Sequence, residues 1–85
     1  MARLTDLEDC GDVWALKFTP DAHGETFAYA LKAFKWAIPL VERTWDEGAL
    51  RWRITKGATT EAKLRELFAN FDEMVKIIHD QLKLF

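Results

Sequence analysis

The chain has 85 residues, of which 49% are hydrophobic and eleven are aromatic, so it can form one small domain and is too apolar for a disordered segment. Its formal net charge of −2 disfavours nucleic-acid binding on average, and its single cysteine, Cys10, excludes a disulfide within the chain. The sequence contains no signal-peptide pattern and no apolar run of transmembrane length, so we expect a cytoplasmic protein that does not enter membranes.

The first residues of the chain are acidic and precede the first clear strand. We divide the sequence into an acidic N-terminal segment, residues 1–12, and a single domain, residues 13–85. Leu4 and Leu7 have the spacing of a short helical turn, and a frayed terminus fits this segment as well. Over residues 13–19 the side chains alternate, which predicts a strand with one buried face. The residues of that face are Trp14, Leu16 and Phe18.

A helix is predicted to follow this strand. Thr19-Pro20-Asp21 suits a strand end and a first helical turn, and Gly24 delays the regular helix to about Glu25. Pro39 cannot continue a helix, so we expect the helix to end near Ala37. Residues at helical spacing form its buried stripe, namely Phe27, Leu31, Phe34 and Ile38. Its other side carries Tyr29, Lys32, Lys35 and Trp36.

Residues 40–45 and 49–55 predict a β-hairpin around the turn Asp46-Glu47-Gly48. With Trp45 opposite Leu50, an apolar face and a charged face separate. The apolar face then pairs Arg43 with Trp52 and Val41 with Ile54, and the charged face pairs Thr44 with Arg51 and Glu42 with Arg53. A shift by one residue would mix the two faces, so we predict this register.

A long helix is predicted at the C-terminus, capped by Thr59 or Thr60 and continuing to the end of the chain. Its roughly 24 residues would measure about 36 Å, whereas short strands span only about 20 Å. The far end of the helix is therefore expected to form an interface through Ile77, Ile78, Leu82, Leu84 and Phe85. We expect a homodimer or a helical protein partner there, and the alternative is that Leu4 and Leu7 fold back over these residues.

These elements predict an α+β fold, a two-layer sandwich in the order β-α-β-β-α. A three-stranded sheet would be packed by two helices on the face that carries the tryptophans. The strand at residues 13–19 is expected to pair antiparallel with the strand at residues 49–55.

One stretch resembles a known family. A lysine-bearing helix that runs into Ile-Pro, then Arg-x-Trp-Asp, a turn and Trp-x-Ile, is similar to the HARP-type domain of annealing helicases and related short bacterial and phage proteins. The matching residues are Lys35, Ile38, Pro39, Arg43, Trp45, Asp46, Trp52 and Ile54, with Phe18-Thr19-Pro20 before the helix. The resemblance covers about residues 13–71 and implies a small α/β module that binds branched or single-stranded DNA. No Walker motif or helicase motor accompanies it in these 85 residues.

Catalysis finds little support in the residue types. His23 and His79 lie far apart in sequence and neither has the spacing of a metal ligand, while Cys10 has no neighbouring His or Lys to activate it as a nucleophile. The four glycines are isolated and form no phosphate loop. We therefore expect no enzyme activity, no cofactor and no metal.

Basic residues concentrate in the middle of the chain, where residues 28–58 carry six basic and three acidic side chains. Trp36 beside two lysines suits a stacking platform for a base, or it covers the sheet edge. Arg43, which shares the apolar face of the hairpin, is either a phosphate contact or a strut over Trp52, with Asp46 as its carboxylate partner. The full candidate set for nucleic-acid binding is Lys32, Lys35, Trp36, Arg43, Arg51, Arg53 and Lys56.

The sequence thus predicts a non-catalytic, DNA-associated module that binds branched or single-stranded DNA weakly through its hairpin and first helix. Glu42 offsets part of the basic charge, so the binding should be weak, and it should depend strongly on salt because it relies on phosphate contacts. The alternative is a protein–protein interaction or dimerisation module that acts through the long C-terminal helix.

Overall fold

An antiparallel sheet of four strands, covered on one face by three helices, makes up the computed structural model, which describes residues 2–20 and 26–82. The strands are β1 (Arg3–Asp9), β2 (Val13–Thr19), β3 (Arg43–Asp46) and β4 (Arg51–Thr55), and they lie in the order β1-β2-β4-β3. The helices are α1 (Phe27–Ala37), α2 (Ala58–Leu67) and α3 (Phe71–Leu82), and one 3-10 turn, Leu40–Glu42, precedes β3.

The predicted three-stranded sheet is wrong, because the N-terminal segment contributes a fourth strand, β1, that pairs with β2. Leu4 and Leu7 are three residues apart and yet both are buried on the helix-covered face. The pairing with β2 shifts register between Leu4 and Asp6, so a β-bulge supplies the extra residue that brings both leucines to the same side.

The predicted single C-terminal helix is also wrong, since it consists of two helices, α2 and α3. Helix α2 begins at Ala58 with Gly57 as its N-cap rather than Thr59 or Thr60, and it ends at Leu67, followed by the C-cap Phe68, whose backbone is extended. Ala2 and Phe68 form a parallel β-bridge, so the chain leaves the helical conformation where it meets the start of the sheet.

Asn70 holds this break against β1. Its side-chain Oδ1 accepts a hydrogen bond from the Leu4 N–H and its Nδ2 donates one to the Leu4 carbonyl, both at 2.9 Å. The Asn70 carbonyl accepts the first hydrogen bond of α3, from the Met74 N–H at 3.0 Å. Asn70 therefore joins β1, an edge strand of the sheet, to the start of α3.

Several predicted elements are confirmed. Strand β2 spans residues 13–19 and pairs antiparallel with β4, and α1 ends at Ala37. The N-cap of α1 is Thr26, whose hydroxyl accepts a hydrogen bond from the Tyr29 N–H at 3.2 Å. Asp21 of the predicted first turn and Glu25, near which the regular helix was predicted to begin, lie outside the described residues.

The hairpin register differs from the predicted one by two residues. Trp45 lies opposite Trp52 rather than Leu50, and Arg43 lies opposite Ile54. Because the shift is an even number, the residues that remain in the two strands keep their predicted faces. The predicted places of Val41 and Leu50 on the apolar face are wrong, since Val41 is 90% exposed in the 3-10 turn and Leu50 belongs to a turn that lengthens to residues 47–50. Asp46 stabilises this longer turn by accepting a hydrogen bond from the Ala49 N–H at 3.2 Å.

The core lies between the sheet and the helices, on the face predicted to carry the tryptophans. Its largest fully buried side chains are Phe34, Phe68, Phe71, Leu16, Ile38, Ile54 and Leu64. They come from two strands and all three helices, so every helix of the described residues packs on the same sheet face. None of these helices is long and apolar enough to cross a lipid bilayer.

Candidate nucleic-acid interface

The open face of the sheet, predicted to supply phosphate contacts, is a network of ion pairs. Arg51 pairs with Asp6 at 3.0 Å and also with Glu8, both from β1. The hydrogen bond to Glu8 and the charge of Asp6 raise the pKa of Arg51. Two carboxylates therefore already balance this guanidinium.

Arg53 has a carboxylate partner as well. Its Nε donates to Asp46 Oδ2 at 3.2 Å, across the hairpin. The Ala49 N–H and the Arg53 side chain both lower the pKa of Asp46. Glu42, the predicted partner of Arg53, instead accepts a hydrogen bond from the Thr60 hydroxyl at 3.4 Å.

Lys56 links the beginning of β2 to the end of β1. Its Nζ lies 2.5 Å from Asp9 Oδ1 and 4.3 Å from the ring centroid of Trp14. Because Trp14 is buried, Lys56 covers one end of the core, and its contact with the Trp14 ring holds the lysine side chain in place.

Arg43 has the geometry of the strut that was one of its two predicted roles. Its Nε donates to the Ile38 carbonyl at 2.8 Å, and its guanidinium lies 6.0 Å from the ring centroid of Trp52. The predicted partner, Asp46, pairs with Arg53 instead. Arg43 thus joins the end of α1 to the hairpin.

Lys32, Lys35 and Trp36 remain exposed on the outer side of α1, as predicted, and Trp36 is 91% exposed. Helix α1 contains no acidic residue. Within residues 2–20 and 26–82, no carboxylate lies within ion-pair distance of either lysine. The Nζ of Lys35 lies 5.9 Å from the Trp52 centroid, so its charge sits at the junction of helix and hairpin.

Between α1 and the hairpin lies a groove of about 350 Å³ that sequence reasoning did not find. We call it the aromatic groove, and its lining residues are Phe27, Leu31, Lys35, Trp45 and Trp52. The prediction placed Phe27 and Trp45 in the core, but they are 53% and 43% exposed. The spacing of Phe27 along the helix and of Trp45 along the strand correctly assigned each to an apolar face. It could not show that the helices leave this part of that face uncovered.

We call the combination of the aromatic groove with Lys32 and Trp36 the α1–hairpin surface. It brings together three of the seven predicted nucleic-acid residues, and Arg43 lies beneath it against Trp52. The other three, Arg51, Arg53 and Lys56, are in the ion pairs described above. No family model matches this chain, and comparisons with curated proteins and with solved structures found no match.

The predicted C-terminal interface is divided by the structure. Ile78 packs against the core, whereas Ile77 on the same helix is 47% exposed. Leu82 is the last residue of α3, and Leu84 and Phe85 lie outside the described residues. Since Leu4 and Leu7 belong to the same core, the N-terminal strand does cover part of this helix.

The residues considered for catalysis do not come together in the described part of the chain. Cys10 and His79 are exposed, and His23 lies outside the described residues. Within residues 2–20 and 26–82, no group of three or more His, Cys, Asp or Glu side chains is placed to hold a metal ion.

Proposed function

We propose that this protein is a non-catalytic module that binds single-stranded or branched DNA weakly through the α1–hairpin surface, as its resemblance to HARP-type domains implies. The observation that carries the proposal is the exposed pairing of aromatic rings with lysines on a helix that has no carboxylate. Proteins that bind single strands combine stacking rings with positive charge in this way, because every base has an apolar face and every nucleotide a phosphate.

Binding is then centred on the α1–hairpin surface rather than on the open face of the sheet. Arg51 and Arg53 already contact Asp6, Glu8 and Asp46, so a phosphate would have to displace a carboxylate or add to it. Lys32 and Lys35 face no such competition among the described residues. The chain's net charge of −2 keeps the overall attraction small.

A titration of labelled single-stranded, blunt duplex and forked DNA at low salt tests the function. We expect binding of the single-stranded and forked forms that weakens as salt rises. Lys32→Ala/Lys35→Ala should weaken binding and reduce the slope of log affinity against log salt by about 1.4, for two lost contacts to a single strand. Absence of binding to every form at about 50 mM salt would contradict the proposal.

A matched control is available on the other helices. Lys63 and Lys76 are exposed lysines of α2 and α3, so Lys63→Ala/Lys76→Ala removes the same charge elsewhere. We expect this variant to bind almost as the parent does. Equal losses in both double variants would mean that only net charge matters, and the α1–hairpin surface would lose its role.

The alternative function, a protein interaction through a long C-terminal helix, has less support than the sequence suggested. The helix is broken at residues 68–70, and Ile78 packs against the core. The observation that still favours it is the exposed side chain of Ile77, and oligomeric state is its test.

A further inference from the structure

The aromatic groove has walls that are held open by other rings. Phe27 stacks on buried Phe18, with centroids 5.9 Å apart and planes at 21°. Trp45 packs against Trp52 at 5.2 Å, and Trp52 in turn packs against buried Phe34 at 5.1 Å. Phe27 is therefore backed by a ring of the core and Trp45 by Trp52, which packs on the core, so the groove has little freedom to collapse and needs little ordering on binding.

The groove continues beyond Trp45 towards the C-terminal end of β2. A second depression shares Phe27, Trp45 and Trp52 with the first and adds Lys17 and Leu50 to its lining. The shared rings join the two depressions into one channel with Lys35 at its rim. Lys17 lies between the buried Leu16 and Phe18 of β2, so its side chain belongs to the open face of the sheet, where Asp6 lies opposite it. No carboxylate is among the described residues that line either part.

Leu50 adds a backbone observation at the same place. Its φ is 55°, in the left-handed region that leucine seldom adopts, and its side chain is exposed at the rim of the channel. The left-handed conformation costs about 1–2 kcal/mol for a residue with a Cβ. Leu50 is the last residue of the hairpin turn at residues 47–50, and a left-handed residue commonly closes such a turn, so its conformation fixes the shape of this rim.

We propose that this channel holds one unpaired base of a single-stranded polynucleotide, stacked against the exposed rings of Trp45 and Phe27, with a flanking phosphate near Lys35. This inference rests on the proposed function and names what the site recognises. A flat base next to an anionic phosphate matches a channel with aromatic walls and the ammonium group of Lys35 at its rim. A paired base is stacked within its own duplex and cannot enter, so the groove selects unpaired strands.

The decisive comparison is between an oligonucleotide of fifteen thymidines and a fully abasic strand of the same length. Both carry the same backbone charge, so they differ only in the bases that the channel would receive. We expect the thymidine strand to bind about fivefold tighter or more, with quenching of tryptophan fluorescence that the abasic strand does not cause. A strand of fifteen 5-methyluridine ribonucleotides, which carries the same base on ribose, shows whether the sugar matters, and inorganic polyphosphate tests charge alone.

The outcomes separate this inference from the proposed function. If abasic and thymidine strands bind equally, or polyphosphate binds as tightly as either, base insertion is wrong and only backbone binding is left. If no strand binds, the proposed function fails as well. Tight binding of the thymidine strand alone supports both.

A variant links the effect to the channel. Trp45→Leu keeps an apolar side chain but removes the stacking ring, so the ratio of thymidine to abasic affinity should fall to about one. A merely structural role would lower both affinities together and leave the ratio unchanged, which would overturn the assignment. If thermal melting shows that this variant does not fold, Phe27→Leu removes the opposite ring and is judged by the same ratio.

Discussion

Trp45 lies directly opposite Trp52 across the β3–β4 hairpin, and their ring centroids are 5.2 Å apart. Trp52 also contacts Phe34 of α1 and lies near the charged groups of Lys35 and Arg43. It therefore connects three things that the sequence leaves separate: the core, the hairpin at the edge of the sheet, and the basic side of the first helix.

Replacing Trp52 should destabilise the fold more than replacing the more exposed Trp36. Trp52→Ala removes a ring that packs against Phe34 and Trp45, and we expect it to cost about 3 kcal/mol of unfolding free energy, the low end for an aromatic deletion because the site is only partly buried. Trp36→Ala should stay within about 0.5 kcal/mol of the parent. Chemical denaturation of both variants measures the difference, and equal stabilities would contradict the packing described for Trp52.

Asn70 offers a test of the junction between α3 and β1. Asn70→Asp keeps the acceptor for the Leu4 N–H but loses the donor to the Leu4 carbonyl, so at neutral pH it should cost about 1–3 kcal/mol. Below about pH 4 the introduced carboxyl group becomes protonated and can donate again, so its deficit relative to the parent should shrink. Asn70→Ala, which has neither group, is the control and should show a deficit that does not change with pH. A deficit of Asn70→Asp that stays constant with pH would argue against the paired hydrogen bonds.

The incorrect parts of the predicted fold have local physical causes. Leu4 and Leu7 have helical spacing, and only a bulge, which no residue type announces, lets two residues three apart share one face of a strand. The C-terminal stripe continues in phase through residues 68–70, so its periodicity does not reveal the break. Asn70 before two acidic residues is an N-cap pattern that could have indicated a new helix start.

The site was predictable to the extent that it depends on one element. Helical spacing correctly placed Lys32, Lys35 and Trp36 on the exposed side of α1. The pairing of Arg51 with Asp6 and Glu8 depends on β1, which the sequence did not show to be a strand. Without β1, the prediction lacked the carboxylates of Asp6 and Glu8 on the open face of the sheet. That face therefore appeared basic from the sequence, although carboxylates pair with its arginines.

Asp9 and Lys56 predict how stability depends on pH. The hydrogen bond from the Lys56 side chain, and after it the one from the Gly11 N–H, lowers the pKa of Asp9 below its ordinary 3.8. The folded state therefore binds fewer protons than the unfolded state in this range, so the contribution of Asp9 is complete above pH 3.8 and is lost as pH falls through the folded value.

Urea denaturation between about pH 2 and pH 6 checks this dependence. We expect the stability of the parent to decline at the acid end of the range and the decline to be shallower in Asp9→Asn and in Lys56→Gln. Asp46, whose pKa is also lowered, should maintain part of the slope in both variants. An unchanged acid limb in Lys56→Gln would show that this lysine does not hold the Asp9 carboxylate in solution.

Ile77 and Ile78 separate self-association from core packing, because they are adjacent on α3 but differ in environment. Ile78 packs against the core that includes Leu4 and Leu7, so Ile78→Asp should lower stability by several kcal/mol whatever the oligomeric state. Ile77 is 47% exposed, and Ile77→Asp should leave the monomer folded. If the protein is the homodimer expected from the sequence, Ile77→Asp places two carboxylates in an interface about a two-fold axis and should halve the mass measured by light scattering at tens of micromolar. A parent that already has the mass of one chain would rule out the homodimer and leave the exposed isoleucine as an ordinary surface residue.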